Sequence, residues 1–302
     1  MKHPLHTARS NGNGPCTFVV VVSFSKMNKV QYGDLQVELT ALDIECLNSG
    51  TYLNESVVDF FLCLYARKFN PQYDITVVSY RWYCTLTSPR YVGYIASVPD
   101  YINDSLRVNF FGVQDMHQDL TRSEYVFVPV NVDGDHWILA VIMVPNMCRV
   151  TPHIGREAAI LFFDSHNDSG SDAMYAPIAE TLRAYMNCEW YFHSVERRGR
   201  PERRFTAESC PIVHVQLHQQ RNGFDCGVYV VRACELFTRD LPVIHEHMGL
   251  ADDDLNWLRT YFRSKMRVNG VAMRTRLKKK VYADINAYED GTDSDGSVVM
   301  LT

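Results

Sequence analysis

Gln220-Arg221-Asn222-Gly223-Phe224-Asp225-Cys226-Gly227-Val228-Tyr229-Val230-Val231 runs from a polar turn into an apolar helix and delivers a cysteine to that helix's first turn. A helix N-terminus presents unpaired N–H groups and the positive end of the helix dipole. Both stabilise a thiolate, and the N–H groups can also hold an oxyanion. Cys226 is therefore a candidate nucleophile. Just upstream, Ile212 to Leu217 reads as a buried strand; downstream, Cys226 to Phe237 reads as a buried helix.

The same grammar extends in both directions. Ala159 to Phe163 is a short apolar run that ends at Asp164, and Ala176 to Cys188 has helical spacing. Tyr125 to Val130 and His136 to Val144 are β-prone and flank the polar turn Asn131-Val132-Asp133-Gly134-Asp135, which makes a hairpin. Asn54 reads as the N-cap of a helix over Glu55 to Arg67, because Val57, Val58, Phe61, Leu62 and Tyr65 recur on one face. Earlier still come a strand at Val19 to Val22, a second at Gln36 to Glu38, and a short helix capped by Thr40 and stopped at Asn48-Ser49-Gly50. Residues 68–120 give only scattered β-prone stretches such as Ile75 to Tyr80, and Asp253 to Met266 reads as an amphipathic helix. Strands followed by covering helices predict an α+β domain over residues 17–288. The Gly/Asn-rich residues 1–16 and the acidic residues 289–302 read as disordered tails.

Composition narrows the function classes. The chain has 302 residues, 46% of them hydrophobic, which is enough for a substantial core. A formal net charge of -5 argues against nucleic acid as the main ligand. Nine cysteines without a C-x-x-C pair fit neither a secreted disulfide framework nor a zinc ribbon. The apolar run Phe18 to Phe24 is too short to span a bilayer and has no small-residue cleavage pattern behind it. The expectation is a nuclear or cytoplasmic protein with no membrane attachment.

Thiol hydrolysis needs a nucleophile, a base, a group that orients the base, and donors for the oxyanion. The sequence places one of each at the end of an element: Cys226, His136, Asp164 and Gln220. Each has a simpler explanation alone. A cysteine on an apolar helix usually packs, a histidine at a hairpin end faces solvent, an aspartate after a strand caps a turn, and a glutamine in a loop needs no role.

Taken together they resemble a known family. Val128-Pro129-Val130-Asn131 followed by His136-Trp137, then Phe163-Asp164-Ser165, then Gln220-x-Asn222-x-x-Asp225-Cys226-Gly227 resembles the Ulp/sentrin-specific proteases that cleave SUMO. The order His, Asp, Gln, Cys matches, and Tyr52-Leu53-Asn54-Glu55 resembles that family's Trp-Leu-Asn-Asp signature. The likeness runs from about Asp34 to Arg239. It implies a papain-like fold of the Ulp type, with a mostly antiparallel central sheet flanked by helices. It also implies Cys226 as nucleophile, His136 as general base, Asp164 as its orienting carboxylate and Gln220 as an oxyanion donor. Trp137, Tyr52 and Asn54 become the implied substrate-binding residues, along a channel for a Gly-Gly C-terminus. The implied protein is a monomer that acts on SUMO or a SUMO-like modifier without metal or cofactor. Tyr52 and Glu55 depart from the family's tryptophan and aspartate, which bears on the modifier-binding surface.

Other readings stay open at this level. The same chemistry can serve Nedd8 or ubiquitin, a polyprotein protease can share the fold, and a scaffold can bind a modifier without cleaving it. Cys226-x5-Arg232 has the spacing of a phosphatase loop, but its intervening residues are bulky and apolar, so they pack instead of cradling an anion. The pairs His214/His218 and His245/His247 lack the accompanying ligands of a metal site. The basic runs Glu196 to Arg204 and Lys278 to Lys280 read first as solvated, with steering of an acidic modifier face as the alternative for the arginine loop.

Overall fold

A computed structural model describes residues 20–22, 37–69, 73–88, 120–144, 158–166, 173–191, 198–199, 203–247 and 254–290. The short strands β1 (Val20–Val22) and β2 (Val37–Leu39) pair antiparallel. Helix α1 (Ala41–Glu45) follows at once, because Thr40 and Asp43 form a reciprocal capping box. Helix α2 (Glu55–Phe69) leads to β3 (Ile75–Val77) and then to α3 (Tyr80–Thr87). Strands β4 (Tyr125–Val132), β5 (His136–Met143) and β6 (Ala159–Phe163) precede α4 (Ala176–Trp190). The chain continues through β7 (Ile212–Val215), α5 (Cys226–His247), α6 (Asp254–Tyr261) and α7 (Gly270–Asp290).

The main sheet has the order β3-β4-β5-β6-β7. Its two central pairings are antiparallel and its two outer ones parallel, so the expected mostly antiparallel sheet is a mixed one. Both outer pairings need a crossover, and helices supply the cover on each face. Side chains alternate along the strands with period two. Phe127, Trp137, Leu139, Val141, Leu161 and Phe163 face a core built with α2 and α5. Val126, Val128, Ile138, Ala140, Ile160 and Phe162 face a second core with α3 and α4. Burial on both faces explains why β4 to β6 read as near-continuous apolar runs.

Several expectations shift at their limits. The β-prone stretch Ile75 to Tyr80 is a strand only to Val77, and α3 starts at Tyr80. Helix α5 runs ten residues past Phe237, and the expected helix Asp253 to Met266 is the shorter α6. Helix α7 was not expected at all, and it crosses the boundary placed at residue 289. The N-terminal tail 1–16 and residues 291–302 lie outside the described residues. Among the described residues, no helix is long and apolar enough to cross a membrane.

Candidate active site

The hairpin between β4 and β5 turns at Asp133 (φ 54°) and Gly134 (φ 87°), with the Asp135 N–H donating to the Val132 carbonyl at 3.3 Å. Two successive left-handed residues make the turn that suits the strand twist. It sets His136 at the first position of β5. Strand β6 runs antiparallel to β5, with Phe163 opposite Leu139, so the end of β6 lies at the end of the sheet where β5 begins. Asp164, the next residue, therefore meets His136.

The contact is a hydrogen bond of 2.7 Å between His136 Nε2 and Asp164 Oδ1. The carboxylate is 1% exposed and fully used: Oδ1 also accepts the His166 N–H at 2.8 Å, and Oδ2 accepts the Tyr175 hydroxyl at 2.9 Å. Tyr175 is itself held by stacking on Phe162, with ring centroids 4.6 Å apart. Burial alone would raise the Asp164 pKa, but the hydrogen bond and charge of His136, with the other two donors, bring it below the usual value. Burial alone would lower the pKa of His136; hydrogen bonds with Asp164 and Cys226 outweigh it and raise the imidazole to about 9. Since Asp164 occupies Nε2, Nδ1 is the ring nitrogen left for Cys226.

Cys226 is the first residue of α5 and is fully buried, with its Sγ 4.0 Å from the Asp135 carbonyl. Gly227 lets the helix come this close. A Cβ there would lie 2.8 Å from Leu53 Cβ, so any larger residue would push the helix head off the Leu53 segment.

The preceding turn is tightly tied. Asn222 Oδ1 accepts the N–H groups of Phe224 (3.1 Å) and Asp225 (3.0 Å), and Asn222 Nδ2 donates to Asp225 Oδ2 at 2.9 Å. Gln220 donates from Nε2 to the Asn222 carbonyl at 2.6 Å and accepts the Ser165 hydroxyl on Oε1 at 2.7 Å. Thus His136, Asp164, Gln220 and Cys226 converge at one end of the sheet.

The three implied substrate-binding residues separate. Tyr52 is 51% exposed, and its hydroxyl would lie 3.7 Å from a Cβ on Gly223, so it borders the turn before Cys226. Trp137 is 3% exposed; its Nε1 donates to the Leu53 carbonyl at 2.8 Å, and Tyr80 packs edge-on against it at 5.1 Å. The indole thus supports the Leu53 segment from beneath and presents little of itself to solvent. Asn54 fills the N-cap role that the sequence also gave it. Its Oδ1 accepts the Val57 N–H at 3.1 Å and its Nδ2 donates to Asp43 at 2.5 Å, which uses the side chain as a helix cap.

The arginine loop is also partly engaged. Arg198 donates to Thr121 Oγ1 at 3.2 Å and Arg203 lies over the Phe205 ring at 5.3 Å, which leaves less of the loop for steering. Arg197 lies outside the described residues. His214 stacks on Tyr175, and His247 stacks on Trp257.

Residues 51–268 match the Ulp1 protease family, C-terminal catalytic domain. The chain belongs to this family. Ubiquitin-like-specific protease 2 of Schizosaccharomyces pombe is 26% identical over 243 residues, a match covering 74% of this chain and 35% of that protein. Sentrin-specific protease 7 of Mus musculus is 22% identical over 256 residues, covering 68% of this chain and 24% of that protein. The chain thus spans about a third or less of the length of these curated relatives. The fold agrees with a crystal structure of the de-sumoylating protease (TM-score 0.56, 19% identity), covering 90% of this chain and 94% of the other. It agrees too with the C-terminal Ulp1 protease domain solved in complex with Smt3, the yeast ortholog of SUMO (TM-score 0.52, 19% identity), covering 88% and 98%. The papain-like fold of the Ulp type implied by the sequence is the fold of this Ulp1-family chain.

Sequence reading singled out the convergent residues but not those that hold them. Ser165 and Asn222 lay inside the quoted motifs without a role, and Tyr175 carried no signal. Arg274, whose guanidinium reaches Asp225, sat unnoticed in a basic stretch of α7.

Proposed function

We propose that this chain is a cysteine peptidase that hydrolyses the isopeptide or peptide bond after the Gly-Gly C-terminus of SUMO or a SUMO-like modifier. The observation that carries the reading is His136, gripped by Asp164 at 2.7 Å, with the Cys226 thiol at the head of α5 lying 4.0 Å from the carbonyl of the residue just before that histidine. Family membership supports the reaction class. The substrate class is supported by relatives named for ubiquitin-like modifiers and sentrin, and by a related domain solved with a SUMO ortholog.

In this reading the Cys226 thiolate attacks the carbonyl carbon of the terminal glycine, and the oxyanion accepts hydrogen bonds from the Cys226 N–H and the Gln220 amide. The His136 imidazolium then gives its proton to the departing amine, and a thioester remains. Neutral His136 takes a proton from water as that water attacks the thioester. The thiolate leaves, the modifier carries away a carboxylate, and the imidazolium is restored. Asp164 stays ionised throughout and fixes which ring nitrogen faces the thiol. Glycines at the scissile end have no side chain to obstruct approach to a thiol as buried as Cys226. The lack of paired cysteine motifs fits a reducing compartment, nucleus or cytoplasm, and the domain is read as a monomer over residues 17–288.

The test is mass spectrometry after incubation with SUMO, Nedd8 or ubiquitin carrying a C-terminal vinyl sulfone. One SUMO adduct mapped to Cys226 is expected. An adduct only with Nedd8 or ubiquitin would change the modifier, and no adduct with any of the three would sink the peptidase reading.

A further inference from the structure

We infer that Arg274 of α7 is a positioning residue for the nucleophile, locking the turn that carries Cys226 against the segment that carries Tyr52. The inference rests on the peptidase reading above and adds to it a part of the chain, residues 270–274, beyond the 51–268 family match.

Arg274 is 2% exposed, and its donors are all spent on two segments. Nε and Nη2 each donate to Asp225 Oδ1 at 3.0 Å, and Nη2 also reaches the carbonyls of Thr51 (2.7 Å) and Phe224 (3.0 Å). Nη1 donates to the carbonyls of Cys46 (2.8 Å) and Asn48 (3.0 Å). A guanidinium has five N–H groups in a rigid planar fork, so six contacts use every donor direction. One segment, 224–225, immediately precedes Cys226. The other, 46–51, immediately precedes Tyr52 and Leu53, and Leu53 in turn touches Gly227 and Trp137.

A second contact from the same helix closes on the same carboxylate. A Cβ built on Gly270 would lie 2.0 Å from Asp225 Oδ2. Asp225 is thus held by Arg274 on one oxygen, by Asn222 on the other, and by the bare backbone of Gly270 beside it. An arginine that served packing alone would have no reason to take all its acceptors from the two segments that border the thiol. Displacement of a reacting group by about 1 Å can cost about 10²-fold in rate, so a slackened clamp lowers turnover even where the fold survives.

Gly270→Ala and Arg274→Lys separate these roles. Gly270 is the first residue of α7, where its φ is not positive and alanine is tolerated, so the main effect of Gly270→Ala is the clash with Asp225. Three readouts are taken on the full chain: Tm, kcat and KM on a SUMO-aminomethylcoumarin substrate, and the rate of Cys226 alkylation by iodoacetamide at neutral pH. Expected for Gly270→Ala is a folded chain with a lowered Tm, an unchanged KM, and kcat and alkylation both lowered by roughly tenfold or more. Arg274→Lys, which keeps the charge but not the fork, is expected to lose at least as much kcat. If Arg274→Lys does not fold, Gly270→Ala decides alone. Wild-type kcat and alkylation in a folded Gly270→Ala would overturn the inference. If the wild-type chain fails to turn over the SUMO substrate, the peptidase reading falls, while the alkylation rates still show whether α7 sets the thiol.

Discussion

Ser165 donates its hydroxyl to Gln220 Oε1 at 2.7 Å, one residue beyond the carboxylate that holds His136. The end of β6 therefore orients two groups at once, Asp164 directing the imidazole and Ser165 the amide. Because the hydroxyl claims Oε1, the Gln220 NH₂ must point the other way, and the Gln220 N–H bonded to the Ser165 carbonyl at 2.8 Å fixes the backbone too.

Removal of the hydroxyl in Ser165→Ala frees the amide to rotate without deleting it. We expect kcat to fall by roughly tenfold with KM unchanged, a smaller loss than the 10²- to 10³-fold of losing the Gln220 donor in Gln220→Ala. Steady-state kinetics on the same substrate compare the two; equal losses, or none in Ser165→Ala, would count against the pairing.

The pH profile has a defined alkaline side. His136 is raised from 6.5 to about 9, so the imidazolium that protonates the leaving amine is lost as pH rises through about 9. Turnover should decline there. In Asp164→Asn the largest raising contribution disappears, so the limb should move to lower pH along with a loss of rate. Stability follows the same signs. The His136 contribution is complete below about 6.5 and lost as pH rises through about 9. That of Asp164 is present above its ordinary 3.8 and lost as pH falls through its depressed value. Tm against pH for wild type and Asp164→Asn reads both.

Cys226→Ala should abolish turnover while leaving modifier binding intact. It should also lower the His136 pKa, because hydrogen bonding and charge from Cys226 help raise it. An NMR titration of the imidazole ring protons measures this, and an unmoved His136 would show that the thiol and ring are not a coupled pair.

Asn54→Ala separates the two roles read for this residue, helix cap and substrate contact. As a cap, the side chain should be worth about 1 kcal/mol to stability, visible as a lower denaturation midpoint. KM for the modifier should not change. A raised KM with an unchanged midpoint would assign Asn54 to the substrate surface instead.

Legibility followed how local the causes were. Asp133-Gly134 between β-prone runs announced the hairpin, and Asp225-Cys226 before an apolar face announced the start of α5, since turn chemistry and periodicity act within a few residues. Ala159–Phe163 was read to the residue because Asp164 ends the apolar run. Helix α3 was not legible: Tyr80 to Thr87 is rich in aromatic and β-branched side chains. What turns it helical is the Ser79 cap, the Asp59 carboxylate accepting the Tyr80 N–H, and burial of Trp82, Tyr83 and Leu86. Arg274 was hidden for a related reason. In Arg274-Thr275-Arg276-Leu277-Lys278-Lys279-Lys280 one buried guanidinium looks like its solvated neighbours, and its partners lie 49 and more residues away.

The order in which these parts leave a ribosome gives the last helix another meaning. Cys226, His136, Asp164 and Gln220 are all synthesised before residue 274, yet the bonds that tie residues 46–51 to residues 224–225 all originate on that later side chain. A chain is made from its N-terminal end and a domain folds as a unit, so the thiol is synthesised well before the inferred brace can close on it. In the proposed reading, a nascent chain then gains peptidase activity only once α7 has been made.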